Sequence, residues 1–317
     1  MRHAMFVKEM FMRLGKARPF AAVLCGVLAG AFMLPQIKAS PANAATWNEG
    51  YLPNAAVFDQ SGKKLVFYDD VIKGRIVVVS FIYTTCRDMC PLVTARLVRM
   101  QSLLAPDIAE KLSFVAISVD PETDTPQRLA EYADTMGATL RWTFLTGQKK
   151  DIDVIRHKLG ERSAKPSEHR MEVLLGNDAT GEWERASAMG DLGILAMTVR
   201  AMDPVLRNQA QLVSAEPAPS LAEEHPGQGL FIKACAACHT VGGGDRVGPD
   251  LAGLTARRER SWIVRYITAP NRLRARKDPI ALKLGQKFER VRMPNLGIAE
   301  AEADELIRYI ESRPRAE

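Results

Sequence analysis

Ile76-Val77-Val78-Val79-Ser80-Phe81-Ile82-Tyr83, followed directly by Thr84-Thr85-Cys86-Arg87-Asp88-Met89-Cys90-Pro91, decides how the first half of this chain folds. A β-branched, almost unbroken apolar run is what a strand covered on both faces requires, since neither face then meets water. After it the period changes. Leu92, Leu97, Met100 and Leu103 are spaced to share one helical face, and Pro91 is tolerated in a first turn. A buried strand is therefore expected to lead through a dithiol loop into a helix.

Working outward, Phe114 to Val119 predicts a second buried strand, Gln127 to Met136 a helix, Ile152 to Leu159 another helix, and Met171 to Leu175 a third strand. Asn177 to Gly181 is a hairpin signal before the short stretch Glu182 to Ala186. Strands alternating with helices predict an α/β domain with a parallel-containing sheet. Gly190 to Leu212 reads as helical with a break at Pro204, and Ser214 to Glu224 has the Pro/Ala/Glu composition of a semi-rigid linker. The expected division is 1–44 for export, 45–212 for the first domain, 213–224 for a linker and 225–317 for a second, all-α domain, which suits a length of 317 residues.

Composition narrows the class. With 47% apolar and 25% charged residues the chain is globular rather than disordered or fibrous. The net charge of +6 is carried on no Lys/Arg stripe interleaved with aromatics, which argues against a nucleic-acid partner. Its distribution is uneven: His225 to Glu317 holds 17 Lys/Arg against 11 Asp/Glu, whereas Ala45 to Glu224 holds 20 against 25. Two oppositely charged halves can attract each other or face different partners.

Arg2, Lys8, Arg13, Lys16 and Arg18 precede an apolar run from Phe20 to Leu34 and then Ala42-Asn43-Ala44, the order of an export signal cleaved after Ala44. The alternative is an uncleaved anchor, with membrane attachment through residues 20–37. Both place the remainder outside the cytoplasm, in a periplasmic setting. Cys25 lies within the apolar run and reads as filler.

The other four cysteines form two local pairs, Cys86 with Cys90 and Cys235 with Cys238, too close in sequence to staple a fold. Cys235-Ala236-Ala237-Cys238-His239 is the attachment signature of a c-type haem, in which both thiols bond the macrocycle and the adjacent His ligates iron. Met293 is the one methionine between His225 and Glu317, about fifty residues beyond His239, and is the expected second axial ligand. The blander alternative is a core methionine. His225 is the other nitrogen donor in this half.

This region resembles a mono-haem class I cytochrome c over nearly all of His225 to Glu317. Val247-Gly248-Pro249-Asp250-Leu251 looks like that family's loop backing the proximal His, and Ala299 to Ser312 like its C-terminal helix. Asn271 to Lys277 is unusually basic, which a solvated face would explain.

In a helix or its first turn, Cys86 and Cys90 would bring both sulfurs to one face. Thiolates there serve either as metal ligands or as nucleophiles. A soft sulfur pair suits Cu(I), and one added imidazole would also hold Cu(II). His157 falls in a predicted amphipathic helix, where an exposed His is ordinary. His169 precedes a predicted strand, where α/β folds place their chemistry, and is preferred.

Thr84 to Pro91 resembles the Sco/SenC motif, Ser118 to Pro126 that family's Asp-Pro segment, and Trp142 to Gly147 a further family stretch. The resemblance runs from about Pro53 to Ala201. It implies a thioredoxin-like fold and copper ligands at Cys86, Cys90 and His169. Arg87 stands where the family often has Pro, and Glu168 where it usually has Asp. Arg87 adds positive charge beside the thiols, favouring thiolate and opposing a bound cation. Asp120 and Asp124 could form an acid/base pair, but Asp124-Thr125-Pro126 reads more simply as a helix start.

Three functions follow. The first is a copper carrier that assists insertion into the copper-site subunit of a haem-copper oxidase, or serves another exported copper or thiol protein. The second is a thiol-disulfide oxidoreductase working through Cys86 and Cys90. The third is an electron-transfer module whose haem c meets its own redox partner. Copper and one covalent haem c are the expected cofactors.

Overall fold

The computed structural model describes residues 50–213 and 225–313. The expected export segment and the stretch Ser214 to Glu224 lie outside these residues. By their contacts, the described residues form one compact unit.

Seven strands make one sheet: β1 (Ala56–Asp59), β2 (Lys64–Val66), β3 (Ile76–Ile82), β4 (Leu112–Ser118), β5 (Trp142–Gly147), β6 (Glu172–Asn177) and β7 (Glu182–Ser187), in the order β2-β1-β5-β4-β3-β6-β7. β3, β4 and β5 are parallel, while β1 lies antiparallel to β5 and β6 antiparallel to β3. The opening stretch behaves as its composition requires, because every residue of β3 is buried. Ile76, Val78 and Ile82 face one core cluster and Val77, Val79 and Phe81 another.

The first cluster is closed by α1 (Met89–Gln101), with α2 (Pro106–Ala109) and α3 (Pro126–Met136) following it in sequence. The second is closed by a π-helical turn at Phe67–Ile72 and by α4 (Lys149–Lys158). Helices α5 (Leu192–Ala201) and α6 (Pro204–Val213) break where Pro204 was expected to break them. Three strands escaped the sequence reading. β5 is six residues long, and β1 and β2 are shorter still. Trp142 is held less by strand pattern than by stacking on Phe114 at 4.8 Å and by donating from its indole to Gln101 at 2.8 Å.

The second part is helical, as expected. A short α7 (Gln228–Leu230) runs into a π-helical turn at Phe231–Cys235, followed by α8 (Leu254–Arg257), α9 (Arg260–Thr268), α10 (Pro270–Ala275), α11 (Pro279–Lys287) and α12 (Glu300–Ser312). α12 packs Leu306, Tyr309 and Ile310 against Phe231. At Gly227 the chain passes so close to α12 that a Cβ would stand 2.5 Å from the Glu305 carbonyl, so only glycine fits.

The oppositely charged parts touch. Arg290 pairs with Glu131 at 2.9 Å, and Arg274 with Asp88 at 3.9 Å. Ala237 and Val247 join the apolar cluster that contains Val93 and Leu97 of α1. Among the described residues no helix is long and apolar enough to cross a membrane.

Candidate functional site

Topology gathers three loops at one edge of the sheet. The parallel register sets Ile82 at the end of β3 beside Ser118 at the end of β4. The antiparallel register of β6 brings its first residues to the same edge. Asp124, fully buried, ties two of these loops together: it accepts from the Thr84 N–H at 3.1 Å, the Thr84 hydroxyl at 2.5 Å and the Ser118 hydroxyl at 2.6 Å. Burial pushes its carboxyl up, against the pull of these hydrogen bonds. Thr125 caps α3, accepting from the Arg128 N–H at 3.3 Å. Asp124 is therefore a brace for the dithiol loop and not the helix cap.

Cys86 lies half-buried in that loop and Cys90 buried in the first turn of α1. The Cys90 N–H donates to the Cys86 sulfur at 3.3 Å, and the Cys90 sulfur stands 3.1 Å from His169 Nε2. His169 Nδ1 lies 3.1 Å from the Arg170 carbonyl. A carbonyl only accepts, so Nδ1 carries a proton, while Nε2 stands against the Cys90 sulfur. His157, the competing candidate, is exposed on α4.

The two thiols are electrostatically unlike. Cys86 is lowered to about 5, first by the hydrogen bond from the Cys90 thiol and then by the N–H groups of Cys90 and Asp88 and the Tyr83 hydroxyl, all opposing burial. Cys90 is raised, because its proton is shared with Cys86 and its surroundings are dry. Arg87 is exposed and is not among the main causes, so the expectation that its charge activates the thiols is replaced by a hydrogen-bond account. Tyr83 was missed in the sequence. It hydrogen-bonds Cys86 and meets the His169 ring edge-on at 5.7 Å. Its one signal was a hydroxyl at the end of an apolar strand.

Among the described residues no three His, Cys, Asp or Glu side chains already stand at metal-holding distances. Cys90 sits between the other two, and an arriving cation must displace its proton. What it then meets is two sulfurs and one imidazole nitrogen, a soft set suited to copper.

The lowered Cys86 has a direct consequence. Since a depressed pKa means thiolate above it, alkylation of Cys86 by iodoacetamide should follow a titration with its midpoint near pH 5. Cys90→Ala removes the strongest donor and should move the midpoint up toward the ordinary thiol range, by roughly two units or more. The midpoint is the readout, because a lower pKa also weakens the thiolate as a nucleophile. A midpoint above pH 8 in the unaltered protein would contradict the geometry.

Cys235 and Cys238 present the opposite case. Burial pushes Cys235 up to about 12, with a smaller push from Cys238, and burial pushes Cys238 up to about 11. They are poor thiolates; Cys235 faces an apolar cavity of about 400 Å³, and both face a smaller one of about 90 Å³. Cys235, His239 and Met293 line both. Leu251, Ile263, Leu306 and Ile310 wall the larger cavity, and Asp88, just before α1, and Leu92 of α1 close the smaller. His239 Nδ1 donates to the Pro249 carbonyl at 2.8 Å, leaving Nε2 free to ligate, and burial lowers its pKa so that the ring stays neutral. His225 is turned elsewhere, its ring 5.7 Å from Tyr309. An apolar slot with an imidazole and a thioether lining it and two thiols at its edge fits a c-type haem.

Residues 56–174 match the SCO1/SenC family model and residues 225–314 the cytochrome c model. The chain carries a SCO1/SenC domain and a cytochrome c domain.

A SCO1 protein homolog of Bacillus subtilis (strain 168) is 32% identical over 90 residues, which cover 28% of this chain and 45% of that protein. A SCO2-like protein of Rickettsia prowazekii (strain Madrid E) is 28% identical over 102 residues, covering 32% and 47%. This chain spans about half the length of the curated relatives it matches. The structure of Bradyrhizobium japonicum ScoI with copper bound aligns at 22% identity with a TM-score of 0.38, over 47% of this chain and 96% of its own. Cys86, Cys90 and His169 all fall within the SCO1/SenC span, and Cys235, Cys238, His239 and Met293 within the cytochrome c span.

Proposed function

We propose that the SCO1/SenC domain takes up copper as cargo on Cys86, Cys90 and His169 and assists its insertion into the copper-site subunit of a haem-copper oxidase, outside the cytoplasm. The cytochrome c domain exchanges single electrons with that copper. The observation that carries the reading is the 3.1 Å approach of His169 Nε2 to Cys90, whose N–H donates to the Cys86 sulfur at 3.3 Å.

Cys235 and Cys238 would hold haem c covalently, with His239 and Met293 as the residues to ligate its iron, and the group would supply a one-electron couple. Reduction of Cu(II) to Cu(I) consumes one electron, so one ferrous haem matches one copper ion, whereas a disulfide needs two electrons. Arg274 and Arg292 hold the Met293 segment against the dithiol loop, which keeps the two centres on one face of contact.

The experiment is anaerobic stopped-flow mixing of the ferrous protein with Cu(II). Haem oxidation with a one-to-one end point is expected, and His169→Ala should slow it at least tenfold while leaving alkylation of Cys86 intact. Absence of copper-dependent haem oxidation rejects the reading.

The low pKa of Cys86 favours a second reading, thiol-disulfide exchange on a partner's cysteines. Full maturation activity in His169→Ala would favour it over delivery.

A further inference from the structure

Two links tie the loop between Cys86 and Cys90 to the segment that carries Met293. One is backbone to backbone: the Arg292 N–H donates to the Arg87 carbonyl at 2.6 Å. The other runs through a side chain. Arg274 Nη1 donates to the Met293 carbonyl at 3.0 Å, and its Nη2 stands 3.9 Å from the Asp88 carboxylate. Arg274 is mostly shielded from solvent. Its guanidinium, planar and always charged, is suited to holding a carbonyl and a carboxylate at once.

Asp88 itself belongs to the dithiol loop, midway between Cys86 and Cys90, and the Cys90 N–H donates to the Cys86 sulfur at 3.3 Å. Closing the site to a disulfide draws the two sulfurs to about 2 Å, and a cation held by both repositions the Cys86 sulfur that now accepts from the Cys90 N–H at 3.3 Å. The loop carrying Asp88 cannot then keep its present arrangement unchanged.

We propose that Arg274 is a positioning residue that couples the state of the Cys86/Cys90 loop to Met293, so that the loop's state sets the haem potential. The proposal rests on the reading of a copper-binding dithiol beside a haem, and adds a named route between them. Coupling between two sites is reciprocal: whatever factor copper changes the ferric/ferrous ratio by, haem reduction changes copper affinity by the same factor.

The test uses the full chain with haem attached. Its haem midpoint potential is measured with the site as dithiol, loaded with Cu(I), and oxidised to the disulfide with diamide. A change of about tenfold in the ferric/ferrous ratio is expected between states, which is 59 mV for one electron. Arg274→Ala and Asp88→Asn should each reduce it to less than about twofold, with a weakened methionine-to-iron charge-transfer band in Arg274→Ala. Arg274→Lys, which keeps a donor, should restore part of it. Arg290→Ala removes a different contact between the two parts, the ion pair with Glu131, and should leave the coupling in place.

A shift that persists undiminished in Arg274→Ala would come from the charge of copper acting through space, and overturns the proposal. So does equal loss in Arg290→Ala, which would assign the effect to docking in general. If the protein takes up no copper, the carrier reading fails by itself, and the dithiol-to-disulfide comparison still decides whether Arg274 couples the two sites.

Discussion

Arg96→Ala is expected to destabilise the folded chain by roughly 3–5 kcal/mol, the range for leaving buried polar groups without their charged partner. Arg96 is only 2% exposed, yet among the described residues it makes no hydrogen bond to a carboxylate. Its three nitrogens donate instead to three backbone carbonyls: Nε to Ala188 at 2.8 Å, Nη1 to Lys233 at 2.5 Å, and Nη2 to Gly190. Burial lowers its pKa, with Asp191 opposing. Truncation would orphan all three carbonyls and open a void under α1. Lysine cannot replace the planar fork, so Arg96→Lys should recover less than half of the loss.

The Lys233 bond gives this residue a second role, since Lys233 belongs to the turn that leads into Cys235. Urea unfolding followed by near-ultraviolet circular dichroism and by haem absorbance should coincide in the unaltered protein and separate in Arg96→Ala. A loss below about 1 kcal/mol with coincident transitions would show that water replaces the guanidinium.

Arg96 also marks where the sequence stops being legible. Its neighbours Leu97 and Met100 announce a buried helical face, but a charged residue among them is read as solvent-facing by default. The acceptors that bury it lie 92, 94 and 137 residues away. The same holds for Asp124, whose partners Thr84 and Ser118 come together only after β3 and β4 pair, and for Tyr83. By contrast, the β3 strand was readable because a strand buried on both faces must be apolar throughout, and Cys235-x-x-Cys238-His239 because haem geometry fixes that spacing. His169 stood between these cases. Its place before a strand was visible, while its approach to Cys90 follows from the antiparallel register of β6 on β3.

The meeting of the two parts was legible only as opposite charge. Two ion pairs realise it, but the exposed Arg290–Glu131 pair contributes about 0–1 kcal/mol and the more shielded Arg274–Asp88 pair is long, at 3.9 Å. The closer fastening is made by uncharged acceptors, the carbonyls of Arg87 and Lys233, and by Ala237 and Val247 packed beside α1. No composition count displays such contacts. The basic stretch Asn271 to Lys277, expected to be a solvated face, contributes Arg274 to this contact.

Gly248→Ala is expected to remove His239 from its ligating position. A Cβ at residue 248 would stand 2.6 Å from Cε1 of the imidazole and 2.9 Å from Nδ1, closer than real Cβ contacts, and 3.1 Å from Nε2, which is tight. The ring has little freedom to yield, because its Nδ1–H is bound to the Pro249 carbonyl at 2.8 Å, and the loop is pinned by the Gly248 N–H donating to the Cys238 carbonyl at 2.9 Å. Overpacking of this sort costs about 1–3 kcal/mol, which corresponds to roughly 5- to 150-fold in the ligation equilibrium. The expected result is a largely high-spin haem at neutral pH, still covalently attached through Cys235 and Cys238. The pH dependence gives an independent check. Burial lowers the His239 pKa below its ordinary value, so in the unaltered protein the ring stays neutral, and ligation holds, as pH falls past 6.5. In Gly248→Ala a tilted ring loses the Pro249 bond and meets water, and acid should displace it at a higher pH. A fully low-spin spectrum in Gly248→Ala, unchanged down to pH 5, would mean that the loop moves away from the imidazole at almost no cost and that Gly248 is not what fixes the proximal side.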